Sequence, residues 1–342
     1  MEMATQLAEE HAEKLKKCFS DDKRFQFKNL IAHGAYGSAC RVQYIDPAMP
    51  SLKDFLIKSS FNGKGAREAM LREKKNLERL RGNPHIVQLV DIPNNPLQQP
   101  DSAFRWNQDD WIIMEWLGCG TFGEFIMSAR HMKHKRMPNR LLWRTMLCLI
   151  RACVAMAWPD QGEVVGSDEL TSRLVHNDLH LHNVLLGEPP MDEEHTFAPI
   201  LKLIDFGLAR EWRSWPGLYT ATQKNIYDVG RLMTSIIGVT GRHKIPQPPP
   251  QVTIGSDPIE TDAAAILPFD ELLDPEIGEI ACACMATDPE ERPTLQNLEE
   301  VISAAVRERT AAYYDDREDE QDAYIEDLWR QITYTGPHYR ES

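Results

Sequence analysis

The chain lacks a long apolar run. Its most apolar stretch, Met146 to Trp158, is broken by Arg151 and falls well short of the roughly 20 residues that cross a bilayer. The first thirty residues are charged and carry no signal-peptide core. A basic surplus is missing too. Against 38 Lys and Arg stand 52 Asp and Glu, a formal charge of −14, which excludes a non-specific nucleic-acid binder built on a basic face. The seven cysteines (Cys18, Cys40, Cys119, Cys148, Cys153, Cys282, Cys284) are odd in number and scattered. The close pair Cys282-Ala-Cys284 has no second pair to complete a metal site, so the thiols read as reduced and mostly buried. No internal repeat is present. These absences lead to the expectation of a soluble intracellular chain, cytoplasmic or nuclear, with no nucleic-acid and no membrane partner. With 42% apolar and 26% charged residues over 342 positions, the chain has the composition of a folded protein.

Residues 4–18 read as a short charged helix. From Phe25 to Trp116 short strands dominate: Leu30-Ile31, Ala39 to Tyr44, Phe55 to Lys58, Ile86 to Val90 and Trp111 to Glu115. One helix, Ala66 to Leu80, interrupts them, with Met70, Leu71, Leu77 and Leu80 expected on one face. After Leu117 the pattern turns helical, and Leu142, Met146, Leu149, Ile150, Cys153 and Met156 describe a buried helix. A mostly β half followed by a mostly α half predicts two lobes. Pro159 to Arg173, Gly187 to Pro199 and Pro246 to Asp262, the last with Pro248-Pro249-Pro250, read as surface insertions. Residues 315–327 hold eight carboxylates and one arginine, half of the net charge, and read as part of a partly ordered acidic tail.

The strongest local signal is Ile204-Asp205-Phe206-Gly207 after the apolar run Ile200 to Leu203. Asp205 lies 22 positions beyond Asn183 in Val175-His176-Asn177-Asp178-Leu179-His180-Leu181-His182-Asn183. Asp-Phe-Gly alone is a common turn. Preceded by His-x-Asp-x-x-x-x-Asn, it resembles the eukaryotic protein-kinase family, and the stretch Arg151 to Trp158 with this unusual loop more loosely resembles fungal kinase-like proteins. Other stretches follow the family's order. Ile31-Ala32-His33-Gly34-Ala35-Tyr36-Gly37-Ser38-Ala39 is similar to the glycine-rich loop, with Ala32 at its first glycine. Phe55-Leu56-Ile57-Lys58 resembles the strand of the phosphate-binding lysine, Lys53 competing for that place. Glu73 stands where the family's helix carries the partner of that lysine. Ile112-Ile113-Met114-Glu115-Trp116-Leu117 resembles the hinge, Tyr227-Asp228-Val229-Gly230 the helix that braces the catalytic loop, and Asp288-Pro289-Glu290-Glu291-Arg292-Pro293 a late motif.

The resemblance implies an α+β fold of two lobes: a small antiparallel β N-lobe with one helix (27–114), a hinge (115–118) and a larger, mainly helical C-lobe (119–308). An N-terminal helical extension (1–26) and an acidic tail (309–342) would flank them. It further implies ATP and Mg²⁺ as cofactors. Lys58 would bind the α/β-phosphates, Glu73 orient Lys58, Asp178 accept the hydroxyl proton, and Asn183 with Asp205 hold metal. Ala32, Gly34, Gly37, Ala39, Leu56, Met114 as gatekeeper, Glu115, Leu117 and Leu185 would line the nucleotide, and His176 would be structural.

Four departures bear on function. Asn177 replaces the arginine that receives an activating phosphate. His180, with His182 two residues on, replaces the lysine at the γ-phosphate, so no permanent charge stands there. Asp205 to Asp228 spans 23 positions without Ala-Pro-Glu. Arg292, which pairs with the glutamate of that motif in relatives, must find another carboxylate or lie in water. Finally, Ala39 and Leu56 exchange small for large against one adenine face, a compensated swap. The expected function is transfer of the ATP γ-phosphate to Ser/Thr hydroxyls of a protein. A pseudokinase acting as a nucleotide- or protein-binding module, and a kinase of a small-molecule alcohol, remain as alternatives.

Overall fold

The computed structural model describes residues 2–34, 36–45, 54–61, 63–99, 110–134, 136–159, 174–187, 194–212, 219–237, 251–254, 257–263 and 271–335. Ala35, Lys53, the triple proline and most of the first two expected insertions lie outside them. The chain divides into two units. The first comprises Met1–Gly82, Val87–Trp116 and Asp205–Ala209; the second comprises Asn83–Ile86, Leu117–Ile204 and Arg210–Ser342.

The first unit opens with α1 (Glu2–Ser20), which buries Ala8, His11, Ala12, Leu15 and Phe19. Their spacing of three and four residues makes one stripe of the helix. That stripe joins Phe25, Val42, Phe55, Ile57 and Trp111 in a single cluster, and Phe19 meets Phe25 edge to face at 5.1 Å. Burying Leu15 and Phe19 contributes roughly 1.5–3 kcal/mol each, so the segment read as an extension belongs to the core of this unit. Strands β1 (Phe25–His33), β2 (Gly37–Tyr44), β3 (Asp54–Ser60) and, after helix α2 (Lys64–Arg79), β4 (Trp111–Glu115) form one antiparallel sheet in the order β1-β2-β3-β4. Inward and outward residues alternate along β2 and β3, as a sheet with one apolar face requires.

Two expectations for this unit need correction. Ile86 to Val90 is not a continuous strand. The Val90 and Glu115 N–H groups donate to Ile113 and Gln88 carbonyls at 2.9 Å. The Gln88 N–H, however, is taken by the Glu115 side chain at 2.8 Å, which interrupts the ladder. In α2, Met70, Leu77 and Leu80 are buried, whereas Leu71 is exposed. At 100° per residue Leu71 is turned off the inward stripe, and its expected place is taken by the polar Glu73 and Asn76.

The second unit begins with α3 (Phe122–His131), whose N-terminus is closed by a Thr121–Glu124 capping box. Helix α4 (Asn139–Ala157) buries every residue except Arg151, including all six positions picked out by the periodicity. Short strands follow: β5 (Leu174–Val175), β6 (Val184–Leu186), β7 (Leu201–Leu203) and β8 (Arg210–Glu211), paired antiparallel as β5-β8 and β6-β7. Beyond α5 (Ala221–Ile237), part of the third expected loop is an antiparallel hairpin, β9 (Gln251–Ile254) and β10 (Asp257–Glu260). Val252 and Ile254 pack against Ala263, Cys282 and Met285, and this apolar footing makes a hairpin where a loop was expected. Helices α6 (Pro275–Cys284), α7 (Leu295–Glu308) and α8 (Asp322–Thr335) complete the unit. The antiparallel sheet of the first unit and the mainly helical second unit agree with the α+β expectation. No helix of the described residues is long and apolar enough to cross a membrane.

The acidic tail is built in rather than solvated. Ile325, Leu328, Trp329 and Ile332 of α8 are buried, and the Trp329 indole donates to the Phe197 carbonyl at 2.8 Å. Glu320 is wholly inaccessible. Its carboxylate accepts the Asn139 and Arg140 N–H groups at 2.8 and 3.0 Å, at the end of α4 where Pro138 offers no side-chain cap. A carboxylate there meets both the orphan donors and the positive end of the helix dipole. Glu320→Ala should therefore lower the urea unfolding free energy by about 1–3 kcal/mol. The exposed Glu318→Ala should change it by less than about 0.5 kcal/mol; equal effects would show that capping is not what holds the tail.

Candidate active site

Alternation along β3 turns Lys58 to the half-buried face of the sheet. Lys58 Nζ lies 2.7 Å from Glu73 Oε2 and 2.9 Å from Asp205 Oδ1. Burial disfavours the ammonium, but the two carboxylates outweigh it and hold its pKa above the ordinary lysine value. Burial pushes the Glu73 carboxyl up; Lys58 opposes that shift and Asp205 adds to it. Asp205 adopts a left-handed φ of 63°, a conformation that costs a non-glycine residue energy and that functional sites retain. Helix α2 holds this segment with two residues that the sequence reading passed over. Arg72 Nε donates to the Gly207 carbonyl at 3.1 Å, and Asn76 Nδ2 donates to the Phe206 and Ala209 carbonyls at 3.5 and 3.4 Å. The one available signal was Asn76 standing three residues after Glu73 on the inward stripe.

Cross-strand register sets the rest of this half. Ala32 faces Ala39, which faces Lys58, and Leu56 pairs with both Arg41 and Met114. Directly opposed residues share a face, so Ala32, Ala39, Leu56 and Lys58 lie on one side, and Ala39 and Leu56 are diagonal neighbours. Met114 is buried and Glu115 ends β4. In the turn between β1 and β2, Gly34 N–H donates to the Gly37 carbonyl at 2.9 Å. A Cβ on Gly37 would sit 2.2 Å from the Ser59 carbonyl oxygen, so no side chain fits there. Nothing lies near a Cβ on Gly34.

The other residues expected at the site belong to the second unit. His176 is buried, with Nε2 at 3.0 Å from the Ile204 carbonyl, and its Nδ1 accepts the Asp178 N–H at 3.3 Å. This pairing fixes a neutral tautomer in a structural role. Asn177 has φ 62°, and asparagine tolerates that region better than the arginine of relatives. Asn183 Nδ2 donates to the Asp178 carbonyl at 2.9 Å and to Asp178 Oδ2 at 3.1 Å. His180 Nδ1 accepts the His182 N–H at 3.2 Å, so Nε2 carries the proton of the neutral ring, 3.5 Å from Asp178 Oδ1. His182 is exposed and lies over Gly123, where a Cβ would meet its ring at 2.7 Å. Leu117 is buried, and half-buried Leu185 on β6 bridges to Thr121.

Two expectations outside the catalytic set change. The catalytic loop is braced by Asn225, which donates to the Leu174 carbonyl at 3.0 Å and accepts the His176 N–H at 3.3 Å. Asp228 instead pairs with Lys224 and Arg231 on its own helix, and Arg231 in turn donates to the Leu179 carbonyl at 3.1 Å. Half-buried Arg292 pairs with no carboxylate among the described residues. It donates to the Ala286 and Gln223 carbonyls at 3.0 Å each and lies over Tyr227 and Tyr219, 4.8 and 5.8 Å from their ring centres. Tyr219 stacks on Trp212, and the Tyr227 hydroxyl donates to Asp262 at 2.6 Å. A planar, weakly hydrated guanidinium suits this cage of carbonyls and aromatic faces.

Comparison with known proteins agrees with these features. The family model described as protein tyrosine and serine/threonine kinase matches residues 25–227, more than half of the chain. A fibroblast growth factor receptor of Strongylocentrotus purpuratus is 23% identical over 305 residues, which cover 82% of this chain and 28% of that protein. The chain thus spans less than a third of that relative's length. The strand-borne Lys58 with its two carboxylates, the Asp178–Asn183 loop and the extent of the family match lead to one conclusion: the chain belongs to the protein tyrosine and serine/threonine kinase family.

Proposed function

We propose that this kinase-family chain is an ATP- and Mg²⁺-dependent enzyme that phosphorylates serine or threonine hydroxyls of a protein. The observation that carries this reading is Lys58 held as a cation at 2.7 Å from Glu73 and 2.9 Å from Asp205. The donor set fits the cofactors. Asp205 of the first unit carries a carboxylate, and Asn183 of the second, whose amide NH₂ is committed to Asp178, carries a side-chain carbonyl oxygen. Such hard oxygen donors suit Mg²⁺. When bound, Mg²⁺–ATP supplies the phosphoryl group and neutralises the charge on its oxygens.

The protein's own residues orient and accept protons. Lys58 offers its ammonium to phosphate oxygens, and Glu73 keeps that ammonium in place. Asp178 accepts the proton of the acceptor hydroxyl. The amide of Asn183 and the Nε2–H side of His180 face separate oxygens of Asp178, which fixes the plane of its carboxylate. His180 thereby acts by positioning Asp178 and not as a permanent charge at the phosphate.

A second reading, a nucleotide- or protein-binding module without transfer, draws support from the capture of Arg292 by carbonyls and tyrosines. It occupies the place of the ion pair that in relatives steadies the peptide platform.

One experiment separates the two. Saturating Mg²⁺–ATP should raise the melting temperature, because a ligand at 100 times its Kd adds about 2.7 kcal/mol to the native state. Lys58→Met and Asp205→Asn should each remove most of that rise. Transfer of labelled γ-phosphate to proteins and small alcohols should fall about 10²–10⁴-fold in Asp178→Asn with the thermal rise intact. A rise without transfer in the wild type would favour the binding module, transfer to alcohols alone would change the acceptor class, and no rise at all would end the nucleotide reading.

The diagonal placement of Ala39 and Leu56 gives a further expectation. Leu56→Ala should weaken ATP binding, and adding Ala39→Val should recover part of the loss through a coupling of about 0.5–3 kcal/mol. Strictly additive affinities in a binding titration would show that the two side chains do not share a nucleotide face.

A further inference from the structure

We infer that His85, Cys148 and His195 form a binding site for one zinc ion that staples three remote segments of the second unit. One ligand atom from each lies within 4.8 Å of the other two, and all three residues are at most 3% exposed. They come from different places: His85 from the turn after α2, Cys148 from the middle of α4, and His195 from the segment leading into β7.

The geometry is close to that of a zinc site. With Zn–S of about 2.3 Å and Zn–N of about 2.0–2.1 Å, the edges of the coordination tetrahedron are roughly 3.4–3.6 Å. Cys148 Sγ and His195 Nε2 already stand 3.3 Å apart, and the remaining separations, within 4.8 Å, need to contract by up to roughly 1.4 Å to reach that edge. A second observation points the same way. His85 Nδ1 lies 3.3 Å from the Leu201 carbonyl. A ring N–H given to a backbone carbonyl fixes the tautomer and leaves the other nitrogen its lone pair, the outer-shell arrangement that metal-bound histidines use.

The donor chemistry narrows the metal to thiophilic ions, of which zinc needs no redox partner. One thiolate and two imidazoles suit zinc and exclude magnesium or calcium, which take oxygen ligands. Arg151 is paired with Glu194 and Glu299, and Arg144 donates to the Glu194 carbonyl at 2.9 Å while lying over Phe197 at 4.0 Å. The bland alternative is a thiol hydrogen-bonded to an imidazole in an ordinary core, for which 3.3 Å is also a normal distance. The convergence of a third buried ligand, with its outer hydrogen bond in place, favours the metal.

The test uses the full chain, stripped by chelator and then titrated with Zn²⁺ against a chromophoric competitor and, separately, with Co²⁺. One equivalent of zinc should bind and raise the melting temperature, and Co²⁺ should give a sulfur-to-metal charge-transfer band. Cys148→Ser and His195→Asn should each weaken zinc by more than about 100-fold, beyond the 10–100-fold cost of losing an outer partner. Cys18→Ser and the catalytically impaired Asp178→Asn should bind like the wild type. Zinc-edge X-ray absorption of the wild type, one sulfur and two imidazole nitrogens with one further light ligand such as water expected, needs no variant to fold. Substoichiometric zinc, a zinc shell without sulfur, or unchanged binding by Cys148→Ser would overturn the site and leave a hydrogen-bonded core cluster.

Discussion

The first unit is organised around keeping one ammonium charged with most of its surroundings dry. A lysine on a half-buried strand face would shed its proton or drag in water unless carboxylates stood beside it. Glu73 and Asp205 stand there, and their presence constrains everything else. Helix α2 must dock with its Glu73 stripe inward, although this places Asn76 in the interior as well. Asn76 then earns its burial by binding the carbonyls of Phe206 and Ala209, and Arg72 adds Gly207. A single charge requirement thus fixes the facing of a helix and the path of the Asp205–Ala209 segment.

Three polar side chains of the second unit are met by neutral partners. His176 is satisfied by a carbonyl and an N–H, and Asn225 ties the strand before the catalytic loop to α5. Arg292 rests on carbonyls and tyrosine rings. None of these contacts asks for a compensating charge. The chain can therefore do without the glutamate that Arg292 meets in relatives and leave no buried ion uncompensated.

Much of this was legible in the sequence, and the illegible part has a common cause. Alternation along β2 and β3 and the 3.6 period of α4 report on neighbours a few residues away, and those elements match. The motif residues were legible because their order along the chain is itself the signal. Glu320 was not: a carboxylate inside a run of carboxylates has the look of a solvated tail, and its partner Asn139 is 181 positions away. The same holds for His85, Cys148 and His195, whose spacing follows no local rule. Leu71 lies off the core because the buried face of α2 carries the polar Glu73 and Asn76, which an apolar period does not register. The setting of Arg292 is likewise illegible: charge alone points to a carboxylate or to water, whereas its partners include the faces of Tyr219 and Tyr227, 73 and 65 positions away.

The docking of Glu320 on α4 has a consequence for the order in which the protein can be made. Among the described residues helix α4 is the most thoroughly buried helix of its unit, yet its first turn waits for a residue translated long after it. At about 5–20 residues per second, the ribosome needs roughly 10–30 s to travel from the end of α4 to Glu320. During that interval the emerging segment holds an apolar helix with an open N-terminus, a species that invites aggregation or chaperone binding. Synthesis would therefore leave the second unit dependent on assistance until its last acidic segment is available, whereas the first unit needs from downstream only the short stretch around Asp205.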